Sequence, residues 1–183
     1  QNGINVVLTP VNDFKAVEAA INAKTRAIYI ETVGNPALDV ADIEGYAKIA
    51  KKHKLPFIVD ATFTPPTMGL KPIEHGADIV IHSLSKWISG QGTIIGGIVV
   101  DAGKFDWTDP KFALYNEPDR GYHGLRFAHD LGPLNPLAFI LRLRTVGLRN
   151  QGPSLSPDSA WLALQGLESL PVRIAKHSEN AQK

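Results

Sequence analysis

The feature that most restricts this fold is an alternation. Short apolar runs, most of them closed by a polar residue, take turns with stretches of helical spacing. The runs are Ile4 to Leu8 (INVVL), Ala27 to Ile30 (AIYI, closed by Glu31), Phe57 to Val59 (closed by Asp60) and Ile79 to Ile81 (ahead of His82 and Ser83). Each is short and rich in β-branched residues, which reads as a buried strand. Between the first two, Asn12 or Asp13 can cap a helix in which Phe14, Val17, Ala20 and Ile21 recur near helical spacing. Between the next two, Val40 to Lys52 puts Ile43, Ala47 and Ala50 on one face, with Asp39 or Asp42 at the positive end. Strands separated by helices imply right-handed crossovers. The class is therefore α/β, with a mainly parallel sheet and helices on both faces. Ile98 to Val100 follows a glycine loop with no room for a helix, so this further strand is expected antiparallel to its neighbour.

The second half is less regular. Asp101 to Pro136 carries Trp107, Tyr115, Tyr122 and Phe127 among prolines and glycines without a clear period, and a stretch that long is usually functional or an interface. Leu137 to Val146 reads as a helix. Ser156 and Pro157 start another, with Trp161, Leu162, Leu164 and Leu167. A last helix is expected from about Leu170 to Asn180.

Composition bounds the function. The 183 residues can bury a real core, and 44% apolar with 20% charged residues describes a globular chain. A net charge of +1 gives no reason to expect nucleic acid as a partner. No run reaches the roughly 18 apolar residues of a membrane span, so none is expected. There is no cysteine, which excludes disulfides and thiolate nucleophiles and fits a reducing, cytoplasmic setting. The six histidines lack the close spacing of a zinc site, so no metal is expected.

The chemistry concentrates from Ala77 to Gly97 (ADIVIHSLSKWISGQGTIIGG). Ser83, Ser85 and Lys86 leave a strand together, ahead of Gly90, Gly92, Gly96 and Gly97. Ligand sites of open α/β sheets gather outside the carboxyl ends of strands. A lysine there can form a Schiff base with an aldehyde cofactor, and serine hydroxyls can bind its phosphate. A lone lysine after a strand is more often a solvated loop residue, so the other strand exits matter. Asp60 ends a buried run, where a carboxylate is costly unless a cation or donor answers it, as a protonated pyridine nitrogen would. Asn35 follows another strand, and its amide could donate to a phenolate oxygen. Taken singly, Asp60 could be a cap or ion pair and Asn35 a turn residue before Pro36. One sheet edge, however, would collect all three. The run Lys48, Lys51, Lys52 and Lys54 reads as a solvated helix face, and Arg142, Arg144 and Arg149 as helix surface.

The ordered motifs ETVGNP, VDATF, ADIVIHSLSKWISG and GGIVVD resemble the Cys/Met-metabolism family of pyridoxal-phosphate enzymes, and LQGLESLPVRIAKHSENAQ extends the likeness nearly to the end. The resemblance implies a fold type I transferase of the aspartate-aminotransferase-like kind and pyridoxal 5'-phosphate as cofactor. Lys86 matches the Schiff-base lysine, and Asp60 the partner of the pyridine nitrogen. Ser83 and Ser85 match phosphate-binding hydroxyls, Asn35 the residue near the phenolic oxygen, and Thr62 a threonine beneath the ring. Within the family the chain is most similar to sulfhydrylases acting on O-acetylhomoserine. Val33-Gly34 stands where cystathionine enzymes tend to have Pro-Thr, and Gln165 where they usually carry Arg. The GKFDW segment and Tyr122-His123-Gly124-Leu125 point the same way. The implied reaction is replacement at Cγ of O-acetyl-L-homoserine by sulfide or a thiol, giving homocysteine or methionine and acetate. A cystathionine γ-synthase or γ-lyase is the alternative. Family members also carry an upstream segment and a C-terminal domain. Residues 1–183 are therefore expected to be the central part of the cofactor-binding large domain. Such a piece alone could be a non-catalytic cofactor-binding fragment, while the complete enzyme is expected to be a homotetramer.

Overall fold

The computed structural model describes residues 3–183. Its sheet has four strands in sequence order: β1 (Ile28–Glu31), β2 (Phe57–Asp60), β3 (Ile79–Ser83) and β4 (Gly97–Asp101). The first three run parallel, with Glu31 beside Asp60 and Asp60 beside Ile81. β4 returns antiparallel to β3, with Ser83 opposite Gly97. This follows from the connection, which holds one helical turn and a glycine loop and no crossover helix.

Both faces of the sheet are covered at its centre, as parallel strands require, while Tyr29 on β1 and Ile98 and Val100 on β4 stay exposed. Ile28, Phe57, Val59 and Val80 form one core with α1 (Phe14–Ala20) and α2 (Ile43–Lys52). Both helices start on an aspartate cap: Asp13 accepts from the Ala16 N–H and Asp42 from the Gly45 N–H, each at 3.0 Å. Glu44 in the first turn of α2 and Lys51 and Lys52 in its last suit the helix dipole.

On the opposite face Ile79 and its partly buried neighbours Ile58, Ile81 and Val99 meet Trp107, Phe112 and Phe127. The long stretch without sequence period is thus a packed cover. It contains α3 (Ala113–Asn116) and a 3-10 turn, Gly132–Leu137. Trp107 stacks on Phe139 and contacts Phe105, Phe112 and Tyr115. The Asn116 amide donates to the carbonyls of Trp107, Asp109 and Phe112 at 2.9–3.0 Å. Side-chain bonds of this kind replace the ladder that irregular backbone lacks. α4 (Ala138–Arg142) then runs through a π-helical stretch, Leu143–Leu148, into α5 (Arg149–Gln151).

Two expectations fail. Ile4 to Leu8 forms no strand. A strand needs a neighbour, and among the described residues none pairs with this segment. Ile4, Val6, Val7 and Leu8 are left 67–89% exposed. The two helices expected after Ser156 are one, α6 (Pro157–Ala181), which passes straight through Pro171. Ser156 caps it by accepting from the Ser159 N–H at 3.1 Å. Leu170 and Ile174 on either side of the proline are buried, so packing carries the helix across the missing N–H.

α6 docks through Gly166 onto the backbone that follows β3. A Cβ at Gly166 would stand 2.4 Å from the Ile88 carbonyl oxygen and 2.5 Å from that of Ser89. At an ordinary helix position Gly→Ala gains about 1 kcal/mol. Here the close contact is backbone that cannot rotate away, and Gly166→Ala should instead lose on the order of 1–3 kcal/mol. Urea denaturation of the two chains decides the sign.

Candidate functional site

The three parallel strands stop at one edge, and the chain leaving them builds a cleft of about 490 Å3. Asn35 comes from the exit of β1, Asp60 and Thr62 from that of β2, and Ser83 and Lys86 from that of β3; all five line it. The structure thus gathers five of the six residues singled out in the sequence. Ser85 does not line the cleft. Its Oγ turns to the glycine loop, where it accepts from the Gly96 N–H at 3.2 Å.

The exits are tied to one another by hydroxyls. Thr62 Oγ1 accepts from the Ser83 N–H at 2.8 Å, joining the ends of β2 and β3. Thr64 Oγ1 donates to Thr32 Oγ1 at 2.9 Å in a buried bond between the ends of β2 and β1. Thr62 therefore has a structural duty at the cleft floor as well as a face on it.

Asp60 is held by two donors. Oδ1 accepts from the Thr62 N–H at 2.9 Å and Oδ2 from the Tyr29 hydroxyl at 3.0 Å. An ionised carboxylate has about four acceptor sites, so each oxygen keeps capacity for a further donor in the cleft. Tyr29 registers its surroundings: burial first, then the Asp60 charge, push its hydroxyl up to about 12. It therefore stays a donor to Asp60 through the physiological range.

Lys86 sits in a π-helical turn, Leu84–Ile88, that is broken at the lysine itself (φ −99°, ψ −119°). Gly90, at φ +77°, donates its N–H to the Lys86 carbonyl at 2.9 Å. On the strand-exit side the lining holds one primary amine, two carboxylates (Asp60, fixed by donors with further lone pairs, and Glu31), an amide and hydroxyls. That donor set suits an aldehyde-bearing, phosphorylated pyridine ring.

The sequence reading missed a second wall of the cleft, made of Trp87, Arg173 and His177. His177 lines the cleft and meets the Trp87 ring edge-on at 5.0 Å. A signal was available. Gly166, Leu170, Arg173 and His177 recur at four, three and four residues, which is one helix face.

His82 points away from the cleft residues of β3 and is buried, and its Nδ1 lacks a partner among the described residues. Burial is the largest influence on its ring and lowers its affinity for a proton from the ordinary 6.5. Folding therefore favours the neutral ring. The associated stability is complete above 6.5 and is lost as the pH falls towards the folded value. The urea midpoint should fall further between about pH 8 and about pH 5.5 in the native chain than in His82→Gln. Equal falls in both would assign the effect to another group.

Among the described residues no helix is long and apolar enough to cross a membrane. Residues 1–183 match the family model described as "Cys/Met metabolism PLP-dependent enzyme". The O-acetyl-L-homoserine sulfhydrylase of Leptospira meyeri is 47% identical over 186 residues, an alignment covering 99% of this chain and 42% of that protein. The homocysteine/cysteine synthase of Saccharomyces cerevisiae is 46% identical over 168 residues, covering 91% of this chain and 37% of its own. A crystal structure of an O-acetylhomoserine (thiol)-lyase from Campylobacter jejuni superposes with a TM-score of 0.83 at 42% identity, covering 93% of this chain and 41% of that one. That crystal structure carries an N'-pyridoxyl-lysine-5'-monophosphate. The chain spans less than half the length of each of these relatives. With the family model matched from end to end and the strand-exit residues in one cleft, this chain belongs to the Cys/Met-metabolism family of PLP-dependent enzymes.

Proposed function

We propose that residues 1–183 are the central part of a large domain that binds pyridoxal 5'-phosphate, and that the complete protein replaces the acetyloxy group of O-acetyl-L-homoserine with sulfide or a thiol. The products are homocysteine or methionine, and acetate. The observation that carries this reading is the convergence of Asn35, Asp60, Thr62, Ser83 and Lys86 on one cleft. The likeness to sulfhydrylases at 41–47% identity supports the choice of substrate.

When bound, pyridoxal phosphate supplies an electron sink for carbanion charge next to the amino group of the substrate. The protein supplies the rest. Lys86 is the only primary amine in the lining, so it anchors the aldehyde and, once freed, carries protons at the substrate's Cα and Cβ. Asp60 presents a fixed anion to a protonated ring nitrogen, with Tyr29 and the Thr62 N–H orienting it. Asn35 offers an amide donor to the phenolic oxygen, Thr62 lies under the ring, and Ser83 and Ser85 offer hydroxyls to the phosphate. The Ser85 role requires its Oγ to serve the phosphate while it holds Gly96. A cytoplasmic setting accords with a chain that has no cysteine. A tetrameric complete enzyme accords with the large apolar residues left exposed, Ile95, Trp161 and Val172 among them.

Borohydride reduction of the full chain with pyridoxal phosphate should fix cofactor mass on the Lys86 peptide, and Lys86→Ala should take none there. Asp60→Ala should still take cofactor on Lys86, yet lose on the order of 100- to 1,000-fold in turnover of O-acetyl-L-homoserine with sulfide. An adduct on a different lysine would refute the assignment. Turnover of cystathionine in preference to O-acetyl-L-homoserine would move the protein to the cystathionine branch.

A further inference from the structure

The turn that carries Lys86 is only partly held by its own hydrogen bonds: the Ser89 N–H donates to the Leu84 carbonyl at 3.0 Å and the Gly90 N–H to the Lys86 carbonyl at 2.9 Å. It is broken at the lysine, and its last carbonyls have no continuing helix to accept from. A guanidinium from the far end of the chain meets them. Arg173 Nη1 donates to the Trp87 carbonyl at 2.9 Å, and Nη2 to the Ile88 carbonyl at 3.3 Å. These are the two residues directly after Lys86. On the helix side Nη2 also donates to the Gly166 carbonyl at 2.9 Å and Nε to Ser169 Oγ at 3.1 Å. The guanidinium therefore bridges α6 and the lysine turn, with each of its nitrogens engaged.

The surroundings are shaped to admit it. A Cβ on Gly90 would lie 2.5 Å from Arg173 Cζ, so the glycine leaves room for the guanidinium as well as adopting a positive φ. Gly166 lets the helix backbone touch Ile88 and Ser89, which brings Arg173 within reach. His177, one turn further on, packs against the Trp87 ring. A cation at the carbonyl end of a helical turn is favourably placed, and a planar fork can hold two carbonyls at once where an ammonium cannot.

We propose that Arg173 is the positioning residue of Lys86, fixing from α6 the backbone that aims the amine into the cleft. This rests on the reading of Lys86 as the cofactor's lysine, and the test separates the two. Trace acetic anhydride labels lysines in proportion to their reactivity and requires no cofactor. In the full chain, Lys86 labelling is followed across pH with exposed Lys51 as the internal reference, for the native protein, Arg173→Lys and Gly90→Ala. Arg173→Lys keeps the charge but loses the fork. Gly90→Ala keeps the arginine but occupies its place. Both should change the pH profile of Lys86 labelling while Lys51 stays at the native rate. Both should also slow borohydride fixation of pyridoxal phosphate on Lys86 by about tenfold or more, the scale of a displaced reacting group. Native Lys86 profiles and fixation rates in either folded variant would overturn the proposal, and should one variant not fold the other decides it. If the native chain fixes no cofactor on Lys86 but the labelling profile moves in the variants, the clamp stands and the cofactor reading falls. If the native chain fixes cofactor and the variants match it, the cofactor reading stands and the clamp falls.

Discussion

The site depends on one constraint of parallel pairing. Strands that run the same way must all stop at the same edge, and there the backbone leaves the ladder. β1, β2 and β3 end within a few residues of each other in register, so their exits are neighbours whatever else the chain does. Left alone, three loose exits would not make a rigid surface. Thr62 and Thr64 bind them together with their hydroxyls, at 2.8 Å to the Ser83 N–H and 2.9 Å to Thr32. Asp60 is then oriented from both sides, by a backbone N–H of its own loop and a phenol from the adjoining strand. Preorganised donors and charges of this kind do not need to reorganise when charge develops nearby.

How much of this could be read from residues alone follows from the range of the interactions. β1, β2 and β3, the antiparallel β4, and the gathering of Asn35, Asp60, Ser83 and Lys86 at one edge all follow from apolar runs and the handedness of crossovers, whereas Thr62 is marked only by the family resemblance. Those are local patterns combined with one global rule. Ile4 to Leu8 has the composition of a strand, but a strand exists only with a neighbour, and composition does not reveal one. Pro171 is a local stop signal that the burial of Leu170 and Ile174 overrides. Ser85 differs from Ser83 only in which way its hydroxyl turns, which the Gly96 N–H decides. Helical spacing puts Arg173 on one face with Gly166, Leu170 and His177, but its carbonyl partner lies 86 residues away, and spacing does not name that partner.

The two walls of the cleft differ in character. The wall of strand exits carries ionisable and hydroxylic groups with hydrogen-bonding capacity left over. The other wall is engaged with the protein itself: the Arg173 guanidinium gives its donors to main-chain carbonyls and Ser169, and the His177 ring lies against Trp87. One wall is built to meet a ligand, and the other to keep the first in shape. A positive charge in the lining is therefore not by itself an anion site.

The pairing of β3 with β4 has a consequence for the order in which the cleft is assembled. Ser83 and Gly97 are close along the chain, so the loop between them closes at little entropic expense and its contacts belong to the early, local part of folding. The contact between Arg173 and Trp87 must wait for a helix some 86 residues further on. During synthesis the lysine turn emerges with its sheet partner well before the helix that braces it. Until α6 arrives the Trp87 and Ile88 carbonyls have no guanidinium to meet, so the bracing of the lysine turn comes later than its pairing with the sheet.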